Sequence, residues 1–137
     1  YEFGRFLFKK SEYQRALVQF EHTLEGEEAT LGPDHGDLAL THWNIARCFA
    51  RLQRPADAVV HRRRCLELET VESGLADPDT LQTAVALVRD LLESGEIEAA
   101  REVQSDALAA AEQAGPDEAR AKQITRLREL DARLADS

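Results

Sequence analysis

Slid along itself by 42 residues, this chain superimposes three of its own stretches, and that repeat constrains the fold more than any other feature. Ala16, Ala58 and Ala100 occupy one place in the pattern and Leu24, Leu66 and Leu108 another, while Gly32 falls on Gly74 and Asp37 on Asp79. A sustained period of this size belongs to a stacked array, in which each unit buries its apolar face against its neighbours. Helical arrays and propeller blades share such periods, so the local spacing decides between them. Within a unit the apolar residues recur at three and four, as in Leu38, Trp43, Ala46, Phe49 and Ala50, which is helical spacing. No unit alternates as a strand does, and the array is one of helix pairs.

Turn and capping residues set the expected boundaries. Ser11-x-x-Gln14 reads as a capping box that opens the second helix of unit one, and Gly32-Pro33 ends it. Asp37 is placed to cap the first helix of unit two, Pro55 suits the first turn of its second helix, and Asp77-Pro78-Asp79 repeats the device for unit three. Gly115-Pro116-Asp117 then starts a last helix, about 117 to 135, with Ala121, Ile124, Leu127, Leu130 and Leu134 at helical spacing. Its charges (Arg120, Lys122, Arg126, Arg128, Glu129, Asp131 and Arg133) suit a solvated outer face, so it reads as a cap over the last unit. The expectation is all-α: a right-handed superhelical stack of antiparallel helix pairs with seven helices. Its units are 1–32, with the first helix cut short, then 33–74 and 75–115, followed by a capping helix and tail at 116–137. There is no Met, not even at residue 1, which reads as a piece of a longer polypeptide.

Unit one runs Phe3-Gly4-x-x-Leu7, then Tyr13-x-x-Ala16-x-x-x-Phe20, which is similar to the signature of tetratricopeptide repeats. Unit two offers Ile45-Ala46-x-x-Phe49 and Pro55-x-x-Ala58; unit three offers Leu87-Val88-x-x-Leu91 and Gly95-x-Ile97-x-x-Ala100. The connector Leu31-Gly32-Pro33-Asp34-His35-Gly36-Asp37-Leu38-Ala39 resembles that of the kinesin-light-chain type, whose repeats run about eight residues beyond the ordinary 34. The departures fall at turns: Ser11 and Gln53 stand where Gly95 keeps the inter-helix Gly, Gly36 replaces the connector Pro kept as Pro78, and Asp77 replaces its His.

Several function classes lose support. With a net charge of −9 and a pI near 4.9, the chain offers little to a nucleic-acid backbone. The Arg62-Arg63-Arg64 run is followed by Glu67, Glu69 and Glu72, whose helical spacing lets ion pairs absorb it. No apolar run approaches the roughly 18 residues of a membrane span. Cys48 and Cys65 cannot frame a disulfide scaffold and read as reduced packing residues, pointing to the cytoplasm. His61 precedes Cys65 by four residues, a metal-ligand spacing, but lacks two further ligands nearby and reads as a surface His. No Gly-rich phosphate loop, nucleophile elbow, metal motif or carboxylate pair occurs, and His22, His35, His42 and His61 fall at connectors or on helix surfaces. No catalytic residue, cofactor or metal is expected, and the chain is not read as an enzyme.

The resemblance implies a concave surface lined by the first helix of each unit. In unit one this gives Tyr1, Glu2, Arg5, Phe8 and Lys9; in unit two Leu40, Trp43, Asn44, Arg47, Ala50 and Arg51; in unit three Gln82, Val85, Ala86, Arg89, Leu92 and Glu93. Arg5, Lys9, Arg47, Arg51 and Arg89 outnumber Glu2 and Glu93, so the groove is expected to be basic on an acidic body. Arg5, Arg47 and Arg89 recur at the repeat offset, a ladder of guanidinium groups suited to carboxylate or phosphate. Beside them Trp43, Phe8 and Asn44 add hot-spot composition. The resemblance gives Asn44 the task of hydrogen-bonding a ligand's main chain or terminal carboxylate. Tyr1, Gln82 and Ala86, however, stand where a chaperone-type carboxylate clamp needs polar or cationic groups. The expected partner is a protein or peptide presenting an acidic or acidic-aromatic segment, with no nucleic acid and no membrane. The alternative is a self-association or intramolecular regulatory module of a larger signalling protein, using an N-terminal edge crowded by Tyr1, Phe3, Phe6, Leu7 and Phe8.

Overall fold

A computed structural model of the chain describes the backbone of residues 2–135 and the side chains of residues 9–135. Among the described residues seven helices follow one another: α1 (Glu2–Leu31), α2 (Leu38–Arg51), α3 (Pro55–Ser73), α4 (Pro78–Glu93), α5 (Ile97–Ala114), α6 (Glu118–Glu129) and α7 (Asp131–Ala135). No strand occurs among the described residues. α2 packs on α3 and α4 on α5, α1 and α4 flank the first of these pairs, and α6 lies across α4 and α5, which makes an all-α solenoid of helix pairs.

The two hairpins are made by the same backbone device. In unit two, Gln53 takes a φ of +59°; in unit three, Gly95 takes +83°. Arg54 N–H donates to Phe49 O at 2.9 Å and Gln53 N–H to Ala50 O at 3.1 Å, and Glu96 and Gly95 repeat both bonds with Leu91 O and Leu92 O at 2.8 and 3.1 Å. Each pair of bonds satisfies carbonyls that the helix end leaves open, the arrangement that a left-handed residue after a helix permits. Pro55 and Pro78 then sit in the first turn of α3 and α4, where a missing N–H costs nothing.

Unit one departs from expectation. Ser11 occupies the place of Gln53 and Gly95, yet α1 runs through it as one 30-residue helix, so the capping box opens no second helix. Neither Gly nor Pro is present from Lys9 to Tyr13, and nothing there forces the backbone out of helical φ and ψ. Asp37 does not cap α2 either: its own φ and ψ are helical, and the first amides of α2, Leu38 and Ala39, donate to His35 O and Gly36 O. Asp77 and Asp117 do cap, accepting from Asp79 and Thr80 N–H and from Arg120 N–H. The expected last helix is broken at Leu130 into α6 and α7. There the side-chain amide of Gln104 takes the carbonyl of Leu127 at 2.8 Å and also reaches Asp131, a side-chain insertion that bends helices.

Two apolar clusters fill the stack. The larger joins α4, α5, α6 and α7, with Val59 of α3, around Leu81, Leu87, Leu91, Ala107 and Leu127; the smaller joins α1, α2 and α3 around Leu17, Ile45, Phe49 and Ala58. Ala58 and Ala100 are fully buried at helix crossings, whereas Ala16 is only half-buried. The repeat also carries a polar link between units: Thr41 Oγ1 donates to Glu27, and 42 residues on Thr83 Oγ1 donates to Glu69. The smaller cluster holds a histidine pair as well. His42 is buried and His61 half-buried, their Nδ1 atoms lie 3.0 Å apart, and Phe49 stacks on His61, so neither is the surface residue the sequence suggested. Burial lowers His42 to a pKa of about 4, with His61 next in effect, and burial lowers His61 too. Both cysteines are free and buried; burial, then Glu69, pushes Cys65 up to about 12.

Candidate functional site

The first helices of units two and three, α2 and α4, border a groove divided into two cavities by Trp43 and Gln82, which line both. Repeat periodicity puts the outward faces of α2 and α4 side by side, because each unit places its first helix in the same layer. Toward their C-terminal ends lies a cavity of about 440 Å³ walled by Trp43, Arg47, Ala50, Arg51, Arg62, Gln82, Val85, Ala86, Arg89, Asp90 and Arg126. Toward their N-terminal ends lies one of about 580 Å³ walled by Gly36, Asp37, Ala39, Leu40, Trp43, Cys65, Glu69, Glu72, Asp79, Gln82 and Thr83. Among the described residues, five arginines face a single carboxylate in the first, and four carboxylates face no cation in the second. The groove is therefore bipolar rather than basic throughout. Asp37 and Asp79 stand at the N-terminal ends of α2 and α4 and Arg51 in the last turn of α2, where the helix dipoles favour them, whereas Glu69 and Glu72 come from the C-terminal part of α3.

Of the residues expected here, Trp43, Arg47, Arg51 and Arg89 come together in the basic cavity. Arg47 and Arg89, one repeat apart, both line its wall. Asn44 is half-buried and lines neither cavity, and Lys9 is exposed on α1, away from both. Arg5 and Phe8 lie outside the residues whose side chains are described. Among the described residues no carboxylate comes within ion-pair reach of Arg47, Arg51, Arg89 or Arg126, and Arg126 has only the amide oxygen of Gln123 at 3.5 Å.

Three contributors were not foreseen. Arg62, which belongs to the run that ion pairs with Glu67, Glu69 and Glu72 are expected to absorb, is instead 6 % exposed. Its Nε donates to Asp90 Oδ2 at 3.0 Å, and its guanidinium carbon stands 4.2 Å from the centre of the Trp43 ring. Burial raises the Asp90 pKa, and the Arg62 charge and hydrogen bond oppose that rise. Nη1 of Arg62 is buried without a hydrogen-bond partner among the described residues. The signal for Arg62 lay in its spacing: Ala58, Val59, Cys65 and Leu68 form the buried stripe of α3, and Arg62 falls inside it. Arg126 reaches the cavity from the capping helix, where it was assigned to the outer face. Arg64, by contrast, is tied down elsewhere, to Glu67 at 3.0 Å, to Pro33 O at 2.7 Å and to Asp34.

The arrangement offers hydrogen-bond donors, charge and one aromatic platform; in the acidic cavity the Cys65 thiol donates to Glu69 at 3.2 Å, but burial and then that carboxylate push its pKa up to about 12, which keeps it protonated. Among the described residues no group of three or more His, Cys, Asp or Glu side chains could hold a metal ion. No helix among them is long and apolar enough to cross a membrane. Compared with known families, the chain matches the model described as tetratricopeptide repeat over residues 1–69 and again over 37–113. No curated protein sequence matches it.

Proposed function

The chain belongs to the tetratricopeptide repeat family, and from that premise we propose that it is an interaction module whose α2/α4 groove seats an acidic segment of a protein partner. Repeats of this family generally mediate protein–protein interaction and typically serve as non-catalytic scaffolds. The observation that carries the reading is the basic cavity: four arginines without a carboxylate partner among the described residues, gathered beside Trp43 on a chain of net charge −9. Guanidinium forks match carboxylates bidentately, and an aromatic next to them supplies apolar area. The 42-residue period and the Gly-Pro-Asp-His connector support the kinesin-light-chain type of repeat, and two free, buried cysteines suit a reducing, cytoplasmic setting.

Capture of acidic peptides by the chain and by Arg47→Glu and Trp43→Ala variants tests this. Arg47→Glu should abolish capture with the fold intact, and binding should weaken with salt, because exposed charges are screened over about 8 Å at physiological ionic strength. Trp43→Ala should weaken capture at every salt concentration. Capture that tolerates both substitutions refutes the groove as the binding surface. A second reading, self-association through the N-terminal edge, draws on α1: residues 2–10 continue the helix instead of folding back, and no described side chain before Leu17 is buried. A molecular mass that stays monomeric across a light-scattering dilution series counts against it.

A further inference from the structure

We propose that the anion read in this groove is a single phosphorylated side chain, carried on a segment that places a basic residue across Trp43 in the acidic cavity. The inference rests on the groove reading above and sharpens it from an acidic segment to a bipolar phosphosegment. Three observations lead to it.

The basic cavity concentrates charge. Arg47, Arg51, Arg62, Arg89 and Arg126 share about 440 Å³ with one carboxylate, Asp90, which Arg62 already engages at 3.0 Å. A single Asp or Glu brings one negative charge to this wall. A phosphoryl group brings about −1.5 to −2 and three acceptor oxygens on one atom, the shape that arginine clusters hold.

The wall also has an unmet donor. Nη1 of the buried Arg62 has no acceptor among the described residues, and a buried donor left unpaired is costly. It is closed to solvent, so an oxyanion reaches it only as the wall adjusts, and the group standing against it is the half-buried indole of Trp43, whose ring centre lies 4.2 Å from the guanidinium carbon.

The neighbouring cavity limits how the charge can be supplied. A run of Asp and Glu long enough to match the arginines would extend past Trp43 into Asp37, Glu69, Glu72 and Asp79 and be repelled there. A compact dianion keeps its charge in the basic half and leaves the acidic half to a cation. Asp79 and Arg89 are separated along α4 by about 15 Å at 1.5 Å per residue, which an extended segment spans in four or five residues. The basic residue should therefore stand four or five positions from the phosphorylated one.

The chain has one Trp, so Trp43 fluorescence reports on the groove directly, with calorimetry as a second readout. The probes are short peptides without aromatic residues: a phosphoserine with Lys four or five positions away, in either direction; its unphosphorylated form; its Lys→Glu form; a run of Glu; and inorganic phosphate alone. The phosphoserine–Lys peptide should bind about tenfold or more tighter than the unphosphorylated peptide, the Glu run or free phosphate. Replacing its Lys by Glu should weaken it severalfold, a cost that shrinks in a Glu72→Gln, Asp79→Asn variant. Arg47→Glu should abolish binding. A Glu run that binds as tightly as the phosphopeptide overturns the inference and leaves the acidic-segment reading standing. Equal affinity for free phosphate, or indifference to the Lys, overturns it as well. If no peptide binds by either readout, both readings fall together.

Discussion

Units two and three reverse the chain between their helices, while the corresponding stretch of unit one runs straight, and the difference lies in three residues at one repeat place. Gly95 meets the positive φ of its turn at no steric cost. Gln53 has no such freedom and adopts +59° nonetheless, because Pro55 two residues later ends helical geometry for Arg54, whose φ and ψ are −119° and 68°. Ser11 has neither the freedom nor the proline, and α1 continues through it. Chain reversal in this array thus needs a residue that permits it or a neighbour that compels it. A capping sequence alone is not enough.

The same contrast runs through the packing. The C-terminal end joins α4 to α7, with Val59 of α3, in one apolar cluster, whereas the N-terminal end has a smaller one into which α1 contributes Leu17 as a buried residue. Buried polar links also differ. Arg62 and Gln104 share a repeat place and tie their helices to the next unit, through Asp90 and through Leu127 O, while unit one has half-buried Phe20 there. The largest expected effect breaks this contrast. Asp90→Ala strands the Arg62 charge in the interior and should cost about 3 to 5 kcal/mol. Gln104→Ala removes a neutral donor and should cost about 1 to 3 kcal/mol. Urea midpoints that rank the two in the opposite order would show that Arg62 keeps its solvation by another route.

The helix-crossing alanines come next. Ala58→Leu and Ala100→Leu insert bulk where both residues are fully buried and should each cost about 1 to 3 kcal/mol through overpacking. Ala16→Leu, at the equivalent half-buried place in unit one, should change stability by less than about 0.5 kcal/mol, as surface substitutions do. Equal losses at the three places, read from thermal midpoints, would mean that unit one packs as tightly as the others.

What the sequence made legible follows from these contrasts. Period, small residues and apolar spacing act locally and repeatedly, so they revealed the helix pairs and the buried Ala58 and Ala100, while the family resemblance pointed to the face of α2 and α4 on which Trp43, Arg47, Arg51 and Arg89 line one cavity. Ser11 misled because capping chemistry describes how a helix can begin and says nothing of whether the preceding helix must end. Arg62, Asp90 and Arg126 were missed for another reason: their partners come from other helices, and the carboxylates of the N-terminal cavity gather from the connector, α3 and α4. Long-range polar pairing leaves no local period. The Thr41–Glu27 and Thr83–Glu69 bonds are an exception, since both partners recur at the repeat offset.

A pH titration sharpens the comparison of the two junctions. His42 and His61 join α2 and α3 in the smaller cluster, where the equivalent places one repeat later are Ala84 and Val103. His42 is lowered to about 4 by burial, aided by His61 and Arg64 and opposed by Glu27 of α1; burial also lowers His61, opposed by Glu21, Asp57 and Glu28. With the folded value below the unfolded 6.5, the unfolded chain takes up protons first as pH falls. The stabilising contribution of the neutral pair is thus whole above about pH 6.5 and lost progressively toward pH 4. Amide exchange in α2 should accelerate over that window before exchange in α4 does, and His42→Gln should flatten the difference. Parallel acceleration in both helices would disconnect the histidine pair from the acid response.

The smallest expected effect returns to the turn and should change sign between units. Gln53→Gly removes the cost of holding a side chain at positive φ, about 1 kcal/mol, and nothing else about the α2–α3 hairpin needs to change. Ser11→Gly places the same residue in the middle of a helix, where Gly costs about 0.5 to 1 kcal/mol against a better helix former because it releases more backbone freedom on unfolding. One substitution at one repeat place should therefore raise the urea midpoint in unit two and lower it in unit one. If Ser11→Gly raises it instead, the straight form of α1 is only marginally preferred, and glycine has given unit one the turn that serine and the absence of proline withheld.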